Sequence, residues 1–249
     1  MKLAEHRLVV DIGNTLIKLA VFKSDTLVFK TKAKSFLVRD IKALKDKYGF
    51  QSCIYMNVRA NEPRFIQHLR RNNHLYKVDY KMKLPIKNSY KTPETLGMDR
   101  LVSMIAAQAL YQGQNVLVVD MGTCIKYDFI DSKGKYHGGN IAPGLFMRIK
   151  SMHTMTGKLP LVKPKYIKSI LGKTTEEALQ NGSVLAIKLE IEGFIKTLTK
   201  KWPKIKVILT GGDSKYFGEI IESKIFVLPE LNLIGLNETL KFLVANNDK

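Results

Sequence analysis

Cysteine, tryptophan and arginine are scarce in this 249-residue chain: two, one and eight residues respectively. Cys53 and Cys124 form no disulfide framework and fit no metal-ligand spacing, which excludes a stapled secreted module and a zinc finger and makes a reducing cytoplasm the expected location. Apolar runs are short as well. None approaches the roughly 20 residues that a membrane span needs. The opening "MKLAEHRLVVDIG" interrupts its apolar part with Glu5, His6, Arg7 and Asp11, so it does not read as a leader. The common nucleotide loop is missing too: "LGKTTE" at 171–176 contains Gly-Lys-Thr, but Ile167 stands where Gly-x4-Gly-Lys-Thr requires glycine, and a polar segment precedes it.

Positive charge is plentiful, with 41 Lys and Arg against 22 Asp and Glu, a formal net of +19. Such a field attracts anions, nucleic acid among them. The excess is lysine, however, scattered without a basic block or an aromatic RNA-binding motif, whereas base readout leans on arginine. A lysine-rich solvated surface that favours small anionic substrates is the better reading. Hydrophobic residues at 45% and charged residues at 25% are ordinary for a globular protein with a real core.

Between its apolar runs the stretch "VVDIGNTLIKLAVF", Val9 to Phe22, holds a carboxylate and a cation, Asp11 and Lys18. Gly13-Asn14 suffices for a hairpin turn. Asp11 serves no purpose in a plain hairpin strand, so the pattern points to a site. Residues 7–13 and 16–22 read as strands, "DTLVFKTKA" as a third, and "SFLVRDIKALKDKYG" as a helix ending at Gly49. "SCIYMNV" and "LYKVD" are strands around the helix "EPRFIQHLRRN". A two-proline loop, "MKLPIKNSYKTPETLG", leads to the amphipathic helix "MDRLVSMIAAQALYQ", stopped by Gly113.

The opening pattern then returns. "NVLVVDMGTCIKYDFID", Asn115 to Asp131, is again strand, Asp-x-Gly-Thr turn, strand, and "KGKYHGGNIAP" supplies a third. The Asp-x-Gly and the Ile-Lys recur, with one residue fewer in the second turn. The spacing predicts a helix from "PGLFMRIKSMHTMT", a helical region from about Thr174 to Lys201, a strand, Gly-rich turn and helix in "KIKVILTGGDSKYFGEII", and a last strand and helix in "KIFVLPELNLIGLNETLKFLVAN". The repeat predicts two related lobes of βββαβα type, residues 1–114 and 115–249, with the paired turns lining a cleft.

Backbone N–H groups of Gly13, Asn14 and Thr15, and of Gly122 and Thr123, are suited to phosphate oxygens. Lys18 adds positive charge, and Asp11 or Asp120 can hold a cation or its waters. Phosphoryl transfer depends on positioning and charge neutralisation, and these are the parts for it. Asp11 and Asp120 have an alternative as acceptors within their own turns, but their repetition favours the site. Asp99 opens a helix, where a carboxylate is held as the anion, and Arg100 beside it suits a substrate carboxylate.

The two acidic turns and the late Gly-Gly turn resemble the PHOSPHATE 1, PHOSPHATE 2 and ADENOSINE elements of the actin, Hsp70 and sugar-kinase superfamily. More narrowly, "DIGNTLIK", "YKTPETLGMDRLVSMIAA", "VVDMGTCIKYDFID", "GGNIAPGL", "TGKLPLV", "GKTTEEALQNG" and "TGGD" resemble type III pantothenate kinases, in that family's order. The resemblance implies an α/β, actin-like (ribonuclease H-like) ATPase fold with mixed sheets, and ATP-dependent phosphorylation of pantothenate at the first step of coenzyme A synthesis. It implies that Asp11, Ile12, Gly13, Asn14, Thr15, Leu16, Ile17 and Lys18 contact ATP phosphates and Mg²⁺, with Thr123 also on ATP. Asp99 is implied as proton acceptor, with Tyr90, Gly97, Met98 and Arg100 around pantothenate. Asp120 would hold a monovalent cation, K⁺ or NH₄⁺, and Thr175 would reach the substrate across a homodimer interface. Tyr90 has the alternative of packing on Pro93.

One departure stands out. After the Asp-x-Gly-Thr turn the family commonly carries a small residue and then, two places on, Thr; here these are Cys124 and Lys126. Lys126 either enters the site or is a surface lysine. His137 and His153 read as packing residues and Cys124 as a small buried one. Two rival readings remain: another small-molecule kinase on the same scaffold, and a non-enzymatic transcriptional accessory role, which would have no need of Asp99 and Arg100.

Overall fold

A computed structural model describes residues 6–247. The chain divides into two compact units, residues 1–110 with 231–249, and residues 111–230.

The first unit is built on a five-stranded sheet of order β3-β2-β1-β4-β5. Its strands are β1 (His6–Ile12), β2 (Ile17–Lys23), β3 (Thr26–Ala33), β4 (Ser52–Asn57) and β5 (His74–Lys77). β1, β2 and β3 form an antiparallel meander, while β4 and β5 join in parallel. A parallel neighbour requires a crossover, and helices α1 (Val38–Tyr48) and α2 (Arg64–Asn72) supply it. Gly49 ends α1 in the left-handed conformation at φ 64°, and its N–H closes on the Lys45 carbonyl. Leu8, Val10 and Ile12 send their side chains to one face with Ile41, Phe65, Ile66 and Leu69. Val9 points to the opposite face, as strand alternation requires, and meets α3 (Met98–Leu110) and α8 (Leu231–Asn247) through Val102, Leu233, Leu236 and Leu240. A two-residue strand, β6 (Lys87–Asn88), and a 3₁₀ turn at Pro93–Thr95 lie in the loop before α3.

The second unit repeats the plan. β7 (Val116–Met121), β8 (Cys124–Ile130), β9 (Lys135–Pro143), β10 (Lys206–Thr210) and β11 (Phe226–Val227) lie in the order β11-β10-β7-β8-β9. Here again three antiparallel strands are followed by two parallel ones beside the first. Helix α4 (Leu145–Thr154), α5 (Thr175–Gln180), a π-helical stretch (Asn181–Leu185) and α6 (Ala186–Lys201) form the long connection, and α7 (Ser214–Gly218) the short one. The core packs Leu117, Val119 and Met121 against Leu145, Ile149, Ile187 and Ile191. The internal repeat expected from the paired Asp-x-Gly turns is therefore also a repeat of strand order.

One part of the expected division at 114/115 is corrected. Helix α8 follows the last strand of the second unit in sequence, but it belongs to the first unit. Its apolar side chains Leu231, Leu233, Leu236 and Leu240 are buried, and its buried Asn237 accepts a bond from Arg7 Nε at 2.9 Å. Ser103 Oγ donates to Asn232 Oδ1 at 2.6 Å from α3. Gly235 permits the close approach: a Cβ there would lie 2.1 Å from the Val102 carbonyl oxygen.

Two glycine-to-alanine changes in helices are expected to act with opposite sign. Gly235→Ala forces α8 off α3 and should cost about 1–3 kcal/mol, outweighing alanine's better helix propensity. Gly193→Ala, in α6 with open space around the added methyl, should gain up to about 1 kcal/mol. Urea midpoints at unchanged m-value measure both.

Candidate active site

In the first unit the hairpin β1–β2 sets Asp11 directly opposite Lys18. Asp11 is buried and Lys18 Nζ lies 3.5 Å from its Oδ2, with the lysine side chain 35% exposed. Between the strands Gly13 N–H bonds the Leu16 carbonyl at 3.1 Å, and Asn14 and Thr15 stand exposed at the tip. Ile12 and Ile17 are core residues that anchor this turn. The Gly13 N–H, expected to be suited to phosphate, is thus used to close the turn, which sets a partly exposed ammonium beside a buried carboxylate. It is also braced by a residue that sequence reasoning missed. Arg59 Nε donates to the Gly13 carbonyl at 2.7 Å. The parallel register Ile12↔Asn57 brings the end of β4 level with the turn, and functional groups of such sheets gather at the carboxyl ends of parallel strands. Asn57 Oδ1 accepts the Arg59 N–H at 2.9 Å and holds the bend.

The acceptor-side segment lies in the same unit. Asp99 is in the first turn of α3, half-buried, and its Oδ1 accepts the Arg100 N–H at 2.9 Å. The carboxylate folds back over residue 97, where a Cβ would come within 2.6 Å of Oδ1, so glycine is the residue that fits. Arg100 is only 5% exposed. Its guanidinium sits 5.4 Å from the centre of the Tyr90 ring, and Nη1 donates to the Tyr90 hydroxyl at 3.4 Å. Tyr90 therefore meets Arg100, beyond any packing on Pro93. Met98 packs with Val9, Met56 and Val102. Asp11 lies two residues beyond Val9 on the same sheet face, so α3 is laid on the face that carries the first acidic turn.

In the second unit β7–β8 repeats the arrangement. Asp120 stands opposite Lys126, and Nζ of the lysine lies 2.6 Å from Oδ2 of the aspartate. Side-chain exposures are 17% for Lys126 and 13% for Asp120. Lys126 is therefore turned to the acidic turn. Thr123 is exposed at the turn, where Gly122 N–H bonds the Cys124 carbonyl and Gly144 N–H the Thr123 carbonyl, each at 3.1 Å. The Gly-Gly turn is adjacent: Asp213 N–H bonds the Met121 carbonyl at 3.1 Å. Gly211, at φ 91°, passes so near Asp120 that a Cβ there would be 2.6 Å from Oδ1. Burial raises the Asp213 carboxyl above its ordinary range. Thr175 is exposed in the first turn of α5, which Thr174 caps by accepting the Glu177 N–H at 3.2 Å. His137 is held by Asp131 at 2.7 Å and by ring contacts to Phe129 and Trp202, while His153 bonds the Leu159 carbonyl.

These strand orders and turns define an actin-like ATPase and sugar-kinase fold, and solved structures agree. A conserved protein from Campylobacter jejuni, provisionally described as a Baf-family transcriptional activator, matches with TM-score 0.61 at 21% identity, covering 96% of this chain and 99% of that one. The inorganic polyphosphate/ATP-glucomannokinase of Arthrobacter sp. strain KM matches with TM-score 0.51 at 13% identity, over 97% and 99%. At such identities the likeness is one of fold. Residues 7–197 match the type III pantothenate kinase model. Type III pantothenate kinases of Bacteroides fragilis and Phocaeicola vulgatus are 40% and 39% identical, covering 94% and 97% of this chain and 97% and 99% of theirs. The chain belongs to the type III pantothenate kinase family.

Thiol chemistry separates the two cysteines. Burial pushes the Cys53 thiol up to about 12, so it carries almost no thiolate at pH 8, whereas Cys124, expected to be buried, is partly exposed beside the turn. A thiol-reactive dye at pH 8 should titrate Cys124 alone in the native protein and both residues only after unfolding, which absorbance counting would show.

Proposed function

We propose that the chain transfers the γ-phosphoryl group of ATP to pantothenate, giving 4'-phosphopantothenate for coenzyme A synthesis, by direct in-line displacement. The observation that carries this reading is the Asp99–Arg100 pair. A half-buried carboxylate at a helix start adjoins a buried guanidinium held by Tyr90, on the sheet face that also carries Asp11. A purely binding role has no use for that combination. Membership of the family, at 40% identity over nearly the whole chain, supports the same acceptor.

In this reading the backbone from Asp11 to Ile17 and the Lys18 ammonium receive the phosphates, and Thr123 also contacts ATP. The mobile lysine and the fixed N–H groups meet charge where it develops in a loose transition state. Arg100 binds the pantothenate carboxylate, and Gly97, Met98 and Tyr90 line its site. Asp99 accepts the hydroxyl proton as the new P–O bond forms. A loose transition state activates the nucleophile little, so a carboxylate positioned to take the proton late is enough.

Mg²⁺ fits this donor set, because it is commonly held by one or two carboxylates together with substrate phosphates. Asp11, at the turn and with the Lys18 ammonium 3.5 Å away, is the residue that would hold it, and the ion would neutralise charge on the phosphates. A free monovalent cation at Asp120 fits less well, since the Lys126 ammonium already lies in contact with that carboxylate. Self-association through the second unit belongs to the same reading. Phe146, Met147 and Leu189 stand 64%, 40% and 50% exposed there, and Thr175 would reach the substrate of the opposite copy. No helix among the described residues is long and apolar enough to cross a membrane.

The test is ADP release with ATP and Mg²⁺, with and without pantothenate. Pantothenate-dependent turnover is expected, and none beyond the blank would send the search to other hydroxylated acids. Asp99→Asn should still bind both substrates by calorimetry yet lose roughly 10²- to 10⁴-fold in kcat, the usual worth of a positioned proton acceptor. Unchanged turnover would remove Asp99 from the chemistry.

A further inference from the structure

The two hairpins solve one problem with different tightness. Each opposes a lysine to an aspartate across an antiparallel pair, Asp11 with Lys18 and Asp120 with Lys126. Lys18 stands 3.5 Å from its carboxylate with a third of its side chain in solvent. That leaves it able to swing toward an incoming anion. Lys126 is drawn in to 2.6 Å and is 17% exposed, so its ammonium is a fixed charge at the second turn.

The family resemblance places a monovalent cation at Asp120, in chains that commonly carry threonine where this one has Lys126. The donor set here is different. Oδ2 of Asp120 is engaged by the lysine, and Oδ1 lies against Gly211, where the backbone comes as close as only glycine allows. A potassium ion binding this carboxylate would have to expel the ammonium or sit beside a like charge. An alkylammonium head carries the same single charge as K⁺ or NH₄⁺. Tethered on the neighbouring strand in register, it also loses no translational freedom on binding.

We infer that Lys126 is the built-in monovalent cation of this enzyme: its ammonium supplies at Asp120 the charge that K⁺ or NH₄⁺ supplies in a chain with threonine there, so neither ion is required. The inference rests on the kinase reading above for the reaction that the charge serves. It assigns Lys126 a positioning role, toward Asp120 and the turn Gly122–Thr123, and leaves phosphate binding to Lys18.

The experiment compares the native chain, Lys126→Thr and Lys126→Arg in K⁺ and in tetramethylammonium at equal ionic strength. Three quantities are read: ATP affinity by calorimetry, thermal midpoint, and pantothenate-dependent ADP release. The native chain should differ by less than about twofold between the two salts. Lys126→Thr should lose at least roughly tenfold in turnover or ATP affinity in tetramethylammonium, in the range that loss of one preorganised charge produces. Added K⁺ or NH₄⁺ should restore it and raise its thermal midpoint. Lys126→Arg, which keeps a cation, should stay indifferent. A native enzyme that needs K⁺, or a threonine variant indifferent to every cation, would overturn the inference. Should the threonine variant not fold, the salt comparison on the native chain decides alone. Absence of turnover in every condition would instead strike the pantothenate reading, while calorimetry and thermal midpoints still decide the role of Lys126.

Discussion

A carboxylate at the inner end of a central strand must have a cation or a set of donors beside it, and much of this structure follows from meeting that need twice. Asp11 and Asp120 each close a central strand, β1 and β7, with neighbouring strands on both sides. Removing a charge from water costs several kcal/mol when it is left unpaired. The antiparallel register puts a lysine directly across the ladder in both units, within the range of cross-strand pairs. Once the pair is fixed, the turn beyond it is fixed too. Glycine opens each turn and closes it through its own N–H, Gly13 on the Leu16 carbonyl and Gly122 on the Cys124 carbonyl, with the acid two residues behind. In the proposed reading a site for phosphate and a stable hairpin are the same object.

Much of this was legible in the residues. Apolar runs bounded by Gly13-Asn14 and by Gly122-Thr123 give the hairpins, and the return of Asp-x-Gly and Ile-Lys gives the duplication that the strand order repeats. Gly49 marks the end of α1 because a left-handed cap needs it. Three features were not legible, and all depend on contacts distant in sequence. Arg59 follows a strand and looks like a surface arginine until the parallel pairing of β1 with β4 brings it to Gly13. Lys126 is ambiguous in the sequence because alternation alone does not say which face of an isolated strand is inward, and only the register with β7 turns it to Asp120. Order along the chain alone puts helix α8 with the second unit, whereas it packs in the first. Its apolar residues point in nearly all directions, so no stripe names a partner, and its fit against Val102 at Gly235 is a matter of shape.

Phosphate and acceptor are handled by different kinds of chemistry, and this explains how sharply each part can be read. Phosphate is met by backbone N–H groups in turns, which many sequences can form. That is consistent with this chain sharing its fold, at 13% identity, with a glucomannokinase. Recognition of the acceptor needs side chains, and in the proposed reading it falls to the segment from Tyr90 to Arg100, where the guanidinium is held by an aromatic ring and the carboxylate is folded over a glycine. Such a constellation tolerates little change, so it is the part that separates one kinase of this fold from another. Lys126 lies between the two regimes: it is a side chain set into a turn that otherwise works through its backbone. On the inference drawn above, a change there leaves the hairpin intact while exchanging a diffusible ion for a covalent one, so that a single residue would alter a cofactor requirement without altering the fold.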